Sequence, residues 1–286
     1  MVDEVREQLA PARGGLFVDC TVGLGGHAKA LLEAGASRLI GFDRDEAALS
    51  MAREQLMEYG ARVELVHADF RDLDAVLDAR GIGGVDGVLA DLGVSSLQLD
   101  SPGRGFSFRR DELLDMRMDM SSGVTAAEAI GAADERTLAD VIYRFGEERY
   151  ARRVARAIVT ARAKGSIQTT GQLAEIVRRA IPRRGHVRID PATRTFQAVR
   201  IWINRELDGL DGFLARTAER LNAAGRLAVI TFHSLEDRIV KHTLRSLQAG
   251  GGLKVLTKRP VVPAEAEVER NPRARSAKLR AAERVL

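Results

Sequence analysis

At 286 residues, with 45% apolar and 29% charged side chains, the chain has the composition of an ordinary soluble globular protein of one large or two modest domains. No apolar run approaches the roughly 18–20 residues a membrane span needs, the acidic, amphipathic Met1–Leu9 is unlike a signal peptide, and one cysteine, Cys20, excludes an intramolecular disulfide, so a cytoplasmic protein without a membrane partner is expected. The formal charge of +4 hides an uneven distribution: net −9 over residues 1–100, +8 over 101–205 and +5 over 254–286, as a cofactor domain joined to polyanion-binding surfaces would have.

Residues 16–91 alternate strand and helix signals. Leu16–Asp19, Arg38–Asp43, Val63–His67 and Gly87–Asp91 read as strands, and Ala28–Ala34, Asp45–Tyr59 and Leu73–Ala79 have helical spacing. This pattern predicts an α/β fold with a parallel, doubly wound sheet and helices on both faces. Ligands of such sheets sit beyond the carboxyl ends of the strands, where the sequence places four acids, Asp19, Asp43, Asp69 and Asp91. After Leu99 the pattern changes. Phe106–Met120 has no clear period, and helical segments follow at Asp134–Phe145, Tyr150–Ala163, Thr170–Ala180 and Pro191–Leu207, the last with Asp190 and Pro191 as N-cap and first-turn residue. Strand character returns at Leu227–Phe232, and Ser234–Asp237 resembles a capping box opening a helix to Leu247. Lys254–Thr257 and the final residues add edge strands, and Arg259–Arg275 reads as a surface loop. The expected organisation is one discontinuous domain, residues 1–103 plus 206–286, interrupted by an inserted helical domain at 104–205.

The first strand runs into Cys20-Thr21-Val22-Gly23-Leu24-Gly25-Gly26-His27, a glycine loop entering a helix. Glycines there let a ligand approach the backbone, and the free N–H groups of the helix start face it. Gly23 to Ala28 satisfies G-x-G-x-x-A, so a nicotinamide cofactor is open. Asp43 can accept from ribose hydroxyls of either cofactor class. Two features favour S-adenosylmethionine (SAM): Asp19 would repel a pyrophosphate but suits a cationic methionine moiety, and the third and fourth strands end in the polar pieces Asp69-Phe70 and Asp91-Leu92-Gly93. There Phe70 can cover an adenine face, with a nearby polar group meeting its amino group. Each residue alone has a plainer explanation as a loop cap or packed aromatic; the ordered series is what outweighs it. The Asp91–Ser96 loop follows strand four, where amino-group methyltransferases place hydrogen-bond acceptors for the target amine. Ring-carbon methylation would need a cysteine nucleophile at this loop, and Cys20 lies at the cofactor end.

Several blocks resemble the MraW (RsmH) family: Asp19 to His27, Gly41–Asp45, Asp91–Asp100, Arg104–Phe108, Leu114–Asp119, Thr195–Arg200, Thr231–Arg238 and Asn271–Ser276. The resemblance implies a Rossmann-like methyltransferase with an inserted helical domain, which transfers methyl from SAM to the exocyclic N4 amine of a cytidine in small-subunit (16S) ribosomal RNA at the decoding centre. Transfer would be direct and in line, without a covalent enzyme intermediate. By position it implies Gly25, Gly26 and His27 at the methionine of SAM, Asp43 at the ribose, Phe70 at the adenine, and Asp91 and Gln98 near the methyl group and target base. The partner is then small-subunit ribosomal RNA or the assembled small subunit; a homodimer is compatible with the sequence. The family pattern has a His-x-Pro-Val-type segment ahead of Met1–Val5, so a few native residues are expected before Met1, and Leu97 stands where Pro is usual.

Other residues have plainer expected roles. His233 shapes a strand–helix turn, His27 is a backbone-positioned contact rather than a base, and Trp202 is core. His67 and His186 lack ligand-like companions, and no catalytic metal cluster is evident. Arg104, Arg109, Arg110, Arg178, Arg179, Arg183, Arg184 and Arg188 are candidates for RNA phosphates, with solvated helix faces as the alternative.

Overall fold

The computed structural model describes residues 1–182 and 189–285, so Arg183, Arg184, His186 and Arg188 lie outside the described residues. The chain divides into two compact units, Met1–Gly93 with Leu207–Leu286, and Val94–Glu206.

The first unit is built on a seven-stranded sheet: β1 (Leu16–Asp19), β2 (Arg38–Asp43), β3 (Val63–His67), β4 (Val85–Asp91), β5 (Leu221–Thr231), β6 (Leu253–Val255) and β7 (Lys278–Arg284), in the order β3-β2-β1-β4-β5-β7-β6. The first five strands are parallel, and β7 runs antiparallel to both β5 and β6. Its helices are α1 (Val2–Leu9), α2 (Gly26–Glu33), α3 (Glu46–Gln55) and α4 (Leu73–Asp78) before the second unit, and α11 (Leu210–Arg220), α12 (Ser234–Ala249) and α13 (Glu265–Arg270) after it.

Strand periodicity sorts the core into two layers. Val18, Ile40, Val88, Ala90, Leu227 and Val229 face a cluster with Leu73, Leu77, Phe213, Leu214, Val240 and Leu244 of α4, α11 and α12. Their neighbours Phe17, Leu39, Leu89, Ala228 and Ile230 face Val5, Leu9, Leu31 and Leu49 of α1, α2 and α3. Adjacent residues pointing to opposite faces, both apolar, are the mark of a sheet covered on both sides.

The sequence expectation needs three corrections here. The sheet is mixed rather than wholly parallel, and the terminal strand is internal, with β6 at the edge. The Arg259–Arg275 stretch holds α13 and a 3₁₀ turn, Pro272–Ser276, capped by Asn271. Helix α12 is capped one residue earlier than expected: His233 Nδ1 accepts from the Glu236 N–H (3.4 Å), while Glu236 Oε2 accepts from Phe232 (2.9 Å) and His233 (3.4 Å). The imidazole thereby shapes the turn as expected.

The second unit contains α5 (Ser96–Asp100), α6 (Ala126–Ala132), α7 (Glu135–Gly146), α8 (Ala151–Arg162), α9 (Thr170–Ala180) and α10 (Ala192–Asn204). Capping boxes at Thr125–Glu128 and Thr169–Gln172 start α6 and α9. Asp190 accepts from the Ala192 N–H (2.9 Å) at the start of α10. Its core joins Leu138, Ile142, Val154, Ile158, Leu173, Val177, Phe196 and Val199, with Trp202 packed against it. The aperiodic stretch before α6 is held by side chains instead of a ladder. Asn204 accepts from the Met118 N–H (2.7 Å) and donates to the Met116 carbonyl (2.8 Å), and Arg104 donates to the carbonyls of Arg117 and Met118. No described helix is long and apolar enough to cross a membrane.

Candidate active site

The chain leaves β1 for β2 and β3, then returns to β4 on the other side of β1. Strand order reverses between β1 and β4, and crevices beyond the carboxyl ends of such a pair are where open α/β sheets bind ligands. Asp19 closes β1 and Asp91 closes β4, so two carboxylates arrive at that point.

The glycine loop between β1 and α2 is folded by its own backbone. Val22 N–H donates to the Phe42 carbonyl (2.7 Å), and Gly25 N–H donates to Val22 (2.7 Å). Gly25 sits at φ 90° as the N-cap of α2, a left-handed conformation that favours glycine. A Cβ there would lie 3.2 Å from the Leu56 side chain, whereas one at Gly26 would meet nothing within 4 Å. Gly25 therefore turns the loop, and Gly26 borders open space. Asp43, at the end of β2, accepts from Gly23 N–H (2.8 Å) and Asp45 N–H (2.9 Å), tying the loop to the second strand. Burial raises the Asp43 pKa despite these two donors.

At the switch point Asp19 is 1% exposed. Its Oδ1 accepts from Thr21 N–H (3.1 Å), and Oδ2 is buried without a hydrogen-bond partner among the described residues. Burial pushes its pKa from 3.8 up to about 7; His27 and the Thr21 donor oppose that rise, and the charges of Asp91 and Asp43 add to it. The His27 imidazole stands with Nε2 3.6 Å from Asp91 Oδ2. Burial lowers its pKa, but Asp91 and Asp19 outweigh this and the net direction is up. His27 Nδ1 and Asp91 Oδ1 are also buried and unpartnered among the described residues. Thr21 completes the cluster, its Oγ accepting from Asp91 N–H (2.7 Å). Three carboxylates, Asp19 buried and Asp43 and Asp91 half-buried, thus share the rim with one imidazole. Buried polar atoms are normally satisfied, so this surplus of acceptors and negative charge is shaped for a cationic, hydrogen-bonding ligand.

The other predicted residues have clear placements. Asp69 forms a bidentate pair with Arg71 (2.7 Å to each oxygen) and meets Arg44 at 3.1 Å. Despite burial, these partners hold its pKa below the usual range. Phe70 is a core residue, edge-on to Phe213 at 4.8 Å, with little of the ring exposed. Gln98 lies in the second unit, where its Oε1 accepts from Ser95 N–H (3.0 Å) in the box that starts α5. Cys20 is buried and its thiol pKa is raised well above 9.0 by burial, which makes it a packing residue. Among the candidate phosphate ligands, Arg104 is buried and structural, while Arg178 is paired with Asp190 (2.8 Å) and Arg179 with Glu175 (2.7 Å). Arg109 and Arg110 are exposed.

Sequence reasoning missed the imidazole–carboxylate contact of His27 with Asp91, and the Thr21 hydroxyl that braces it. Only the adjacency of β1 and β4 creates them. Of the two arginines that neutralise Asp69, Arg71 was legible as a charge two residues away, whereas Arg44 reaches it from the end of β2.

A family model described as the MraW methylase family matches residues 1–285. The chain is 52% identical over 282 residues to the ribosomal RNA small subunit methyltransferase H of Sorangium cellulosum, covering 99% of this chain and 89% of that protein. It is 50% identical over 303 residues to the protein of the same name in Geotalea uraniireducens, covering 100% and 97%.

Proposed function

The chain belongs to the MraW methylase family, and from that premise we propose that it transfers a methyl group from SAM to the exocyclic N4 amine of a cytidine in small-subunit (16S) ribosomal RNA, at the decoding centre. Its substrate is the RNA itself or the assembled small subunit, in the cytoplasm. The unit of Met1–Gly93 and Leu207–Leu286 binds SAM, and the helical unit Val94–Glu206 recognises the RNA.

The observation that carries this reading is the buried, electron-rich cluster at the β1–β4 switch point. The residues fit SAM. The unpartnered oxygens of Asp19 and Asp91 suit a group carrying a sulfonium and an ammonium, where a pyrophosphate would be repelled. Gly25 and Gly26 keep side chains out of the approach, and each Asp43 oxygen retains a lone pair for a ribose hydroxyl. Phe70 would border the adenine.

When bound, SAM supplies an electrophilic methyl whose bonding pair returns to sulfur as the bond breaks. An exocyclic amine is a weak nucleophile because its lone pair is delocalised into the ring. Asp91 Oδ1 accepts one amine N–H and so helps localise the pair toward the methyl carbon. Once the N–C bond has formed, the nitrogen carries a surplus proton, which passes to the Asp91 carboxylate. No thiol addition to the ring is needed, in keeping with the buried Cys20. Gln98 is proposed to help position the base. The target has to be splayed from its stack to reach the carboxylate.

The test is incubation with methyl-labelled SAM and undermethylated small subunits, naked ribosomal RNA or DNA, with the label mapped by mass spectrometry. Label on the amine of one small-subunit cytidine is expected; label only in DNA or on a ring carbon overturns the proposal. Asp91→Asn should lower turnover by roughly 10²–10⁴-fold while SAM binding stays measurable, and full activity would remove Asp91 from the mechanism.

A further inference from the structure

The helical unit carries charge that it does not neutralise. From Arg149 to Lys164 the sequence has six Lys or Arg and no Asp or Glu. Helix α8 buries Ala151, Val154, Ala155 and Ile158 and presents Arg152, Arg153 and Arg156 to solvent, and the exposed Arg149 in the turn before it extends the stripe. Arg156 reaches Glu135 at 3.4 Å but remains 76% exposed. The Arg149 guanidinium lies over the Tyr150 ring at 4.7 Å. Among the described residues, Arg149, Arg152 and Arg153 have no acidic partner.

Several other exposed arginines, by contrast, have close acidic partners: Arg53 with Glu46 (2.8 Å), Arg179 with Glu175 (2.7 Å), Arg216 with Asp74 (2.8 Å). Like charges three and four residues apart repel on a helix surface, so the stripe lowers the stability of α8 until an anion covers it. A single small anion would satisfy one or two guanidinium groups. A row about 6 Å long between Arg152 and Arg156, continued by Arg149, matches a chain of regularly spaced phosphates, which guanidinium forks grip in bidentate fashion.

We propose that the α8 face of Arg149, Arg152, Arg153 and Arg156 docks the phosphate backbone of the RNA substrate, an inference that rests on the methyltransferase reading above. Arg104 and Arg178, singled out by sequence position, are already committed to contacts inside the unit.

The experiment compares the full chain with the triple variant Arg152→Gln, Arg153→Gln, Arg156→Gln and its Lys counterpart, Gln and Lys both being good helix formers. Binding of a naked small-subunit RNA transcript, and in parallel of assembled small subunits, is measured from low to high salt, with SAM affinity and thermal melting as checks on folding. The Gln variant should lose at least tenfold in RNA affinity at low salt. Its slope of log affinity against log salt should fall by about 2–3, at roughly 0.7–0.9 for each lost phosphate contact. The Lys variant should keep most of the slope. An unchanged slope in a folded Gln variant overturns the proposal. So does a loss confined to assembled subunits, which would assign the face to a protein contact. If the wild-type chain fails to methylate ribosomal RNA, the functional reading fails by its own test, whatever the salt slope.

Discussion

Replacing Asp19 with Asn removes a titrating, buried carboxyl from the rim between β1 and β4 while preserving its shape and the acceptor for Thr21 N–H. Burial pushes the Asp19 pKa up to about 7 in the folded chain from its ordinary 3.8, a span of about three on the pH scale. At 1.36 kcal/mol per unit, the ionised form is penalised by about 4 kcal/mol. Below pH 3.8 the group is protonated in both states and the penalty is absent. Between 3.8 and 7 the unfolded chain has lost a proton that the folded chain keeps, so stability falls as pH rises, levelling off above about 7. Asn does not titrate. The Asn variant should therefore match the wild type near pH 4 and exceed it increasingly toward pH 8, with about 4 kcal/mol as the upper bound. His27 on α2, Asp91 on β4 and Asp43 on β2 face Asp19 and are present in both proteins, so the difference isolates Asp19 apart from its support of His27. Urea unfolding at pH 5, 6, 7 and 8, read by hydrogen exchange at β1 and β4 amides, measures it. Parallel stability curves across that range would refute the placement of a protonated Asp19 at the rim. With SAM present the order should reverse, because the ionised carboxylate then has a cation to face and the Asn variant binds SAM more weakly.

Two further outcomes follow from the local geometry. Gly25→Ala places a Cβ at φ 90° and 3.2 Å from Leu56; it should cost about 1–2 kcal/mol in urea unfolding and weaken SAM binding measured by calorimetry, with wild-type values for both counting against the turn. Arg104→Ala strips the carbonyls of Arg117 and Met118 of a buried donor and should destabilise the helical unit by about 1–3 kcal/mol, whereas Arg109→Ala and Arg110→Ala, at exposed positions, should stay within about 0.5 kcal/mol in the same denaturation assay.

The parallel strands before the helical unit were legible because buried strands leave short apolar runs, each ending on a polar loop; which strands meet, as Val18 of β1 and Val88 of β4 do, is not written in that pattern. Strand β7 was harder to place. Its Lys278, Arg280 and Glu283 read as the surface of an edge, but the strand lies between two others, and its charges are matched by neighbours. Arg280 and Lys278 meet Asp237 of α12 at 2.6 and 3.3 Å, and Glu283 meets Arg226 of β5 at 2.8 Å. Helix α11 escaped notice because Gly209 and Gly212 punctuate a segment whose Leu210, Phe213, Leu214 and Thr217 nonetheless form one buried face. The stretch before α6 had no period to read, since Arg104 and Asn204 hold it through contacts remote in sequence and the Asp115–Arg117 pair through a local one, none of them a repeating ladder.

The same limit applies to the rim. As residues in a row, Asp19, Asp43, Asp69 and Asp91 are four equivalent acids at four strand ends, and nothing in the sequence ranks them. Partners separate them. Asp69 is neutralised by two arginines, and each Asp43 oxygen already accepts one backbone N–H, from Gly23 or Asp45, so both acids are tied into the loop architecture. Asp19 and Asp91 each keep a buried oxygen without a partner among the described residues, and a single imidazole stands against their combined charge. The demand for a cation is therefore concentrated between β1 and β4 and not spread along the sheet edge. This favours a ligand whose positive charge lies at one end, as the methionine end of SAM does, over a dinucleotide whose charge is a central pyrophosphate.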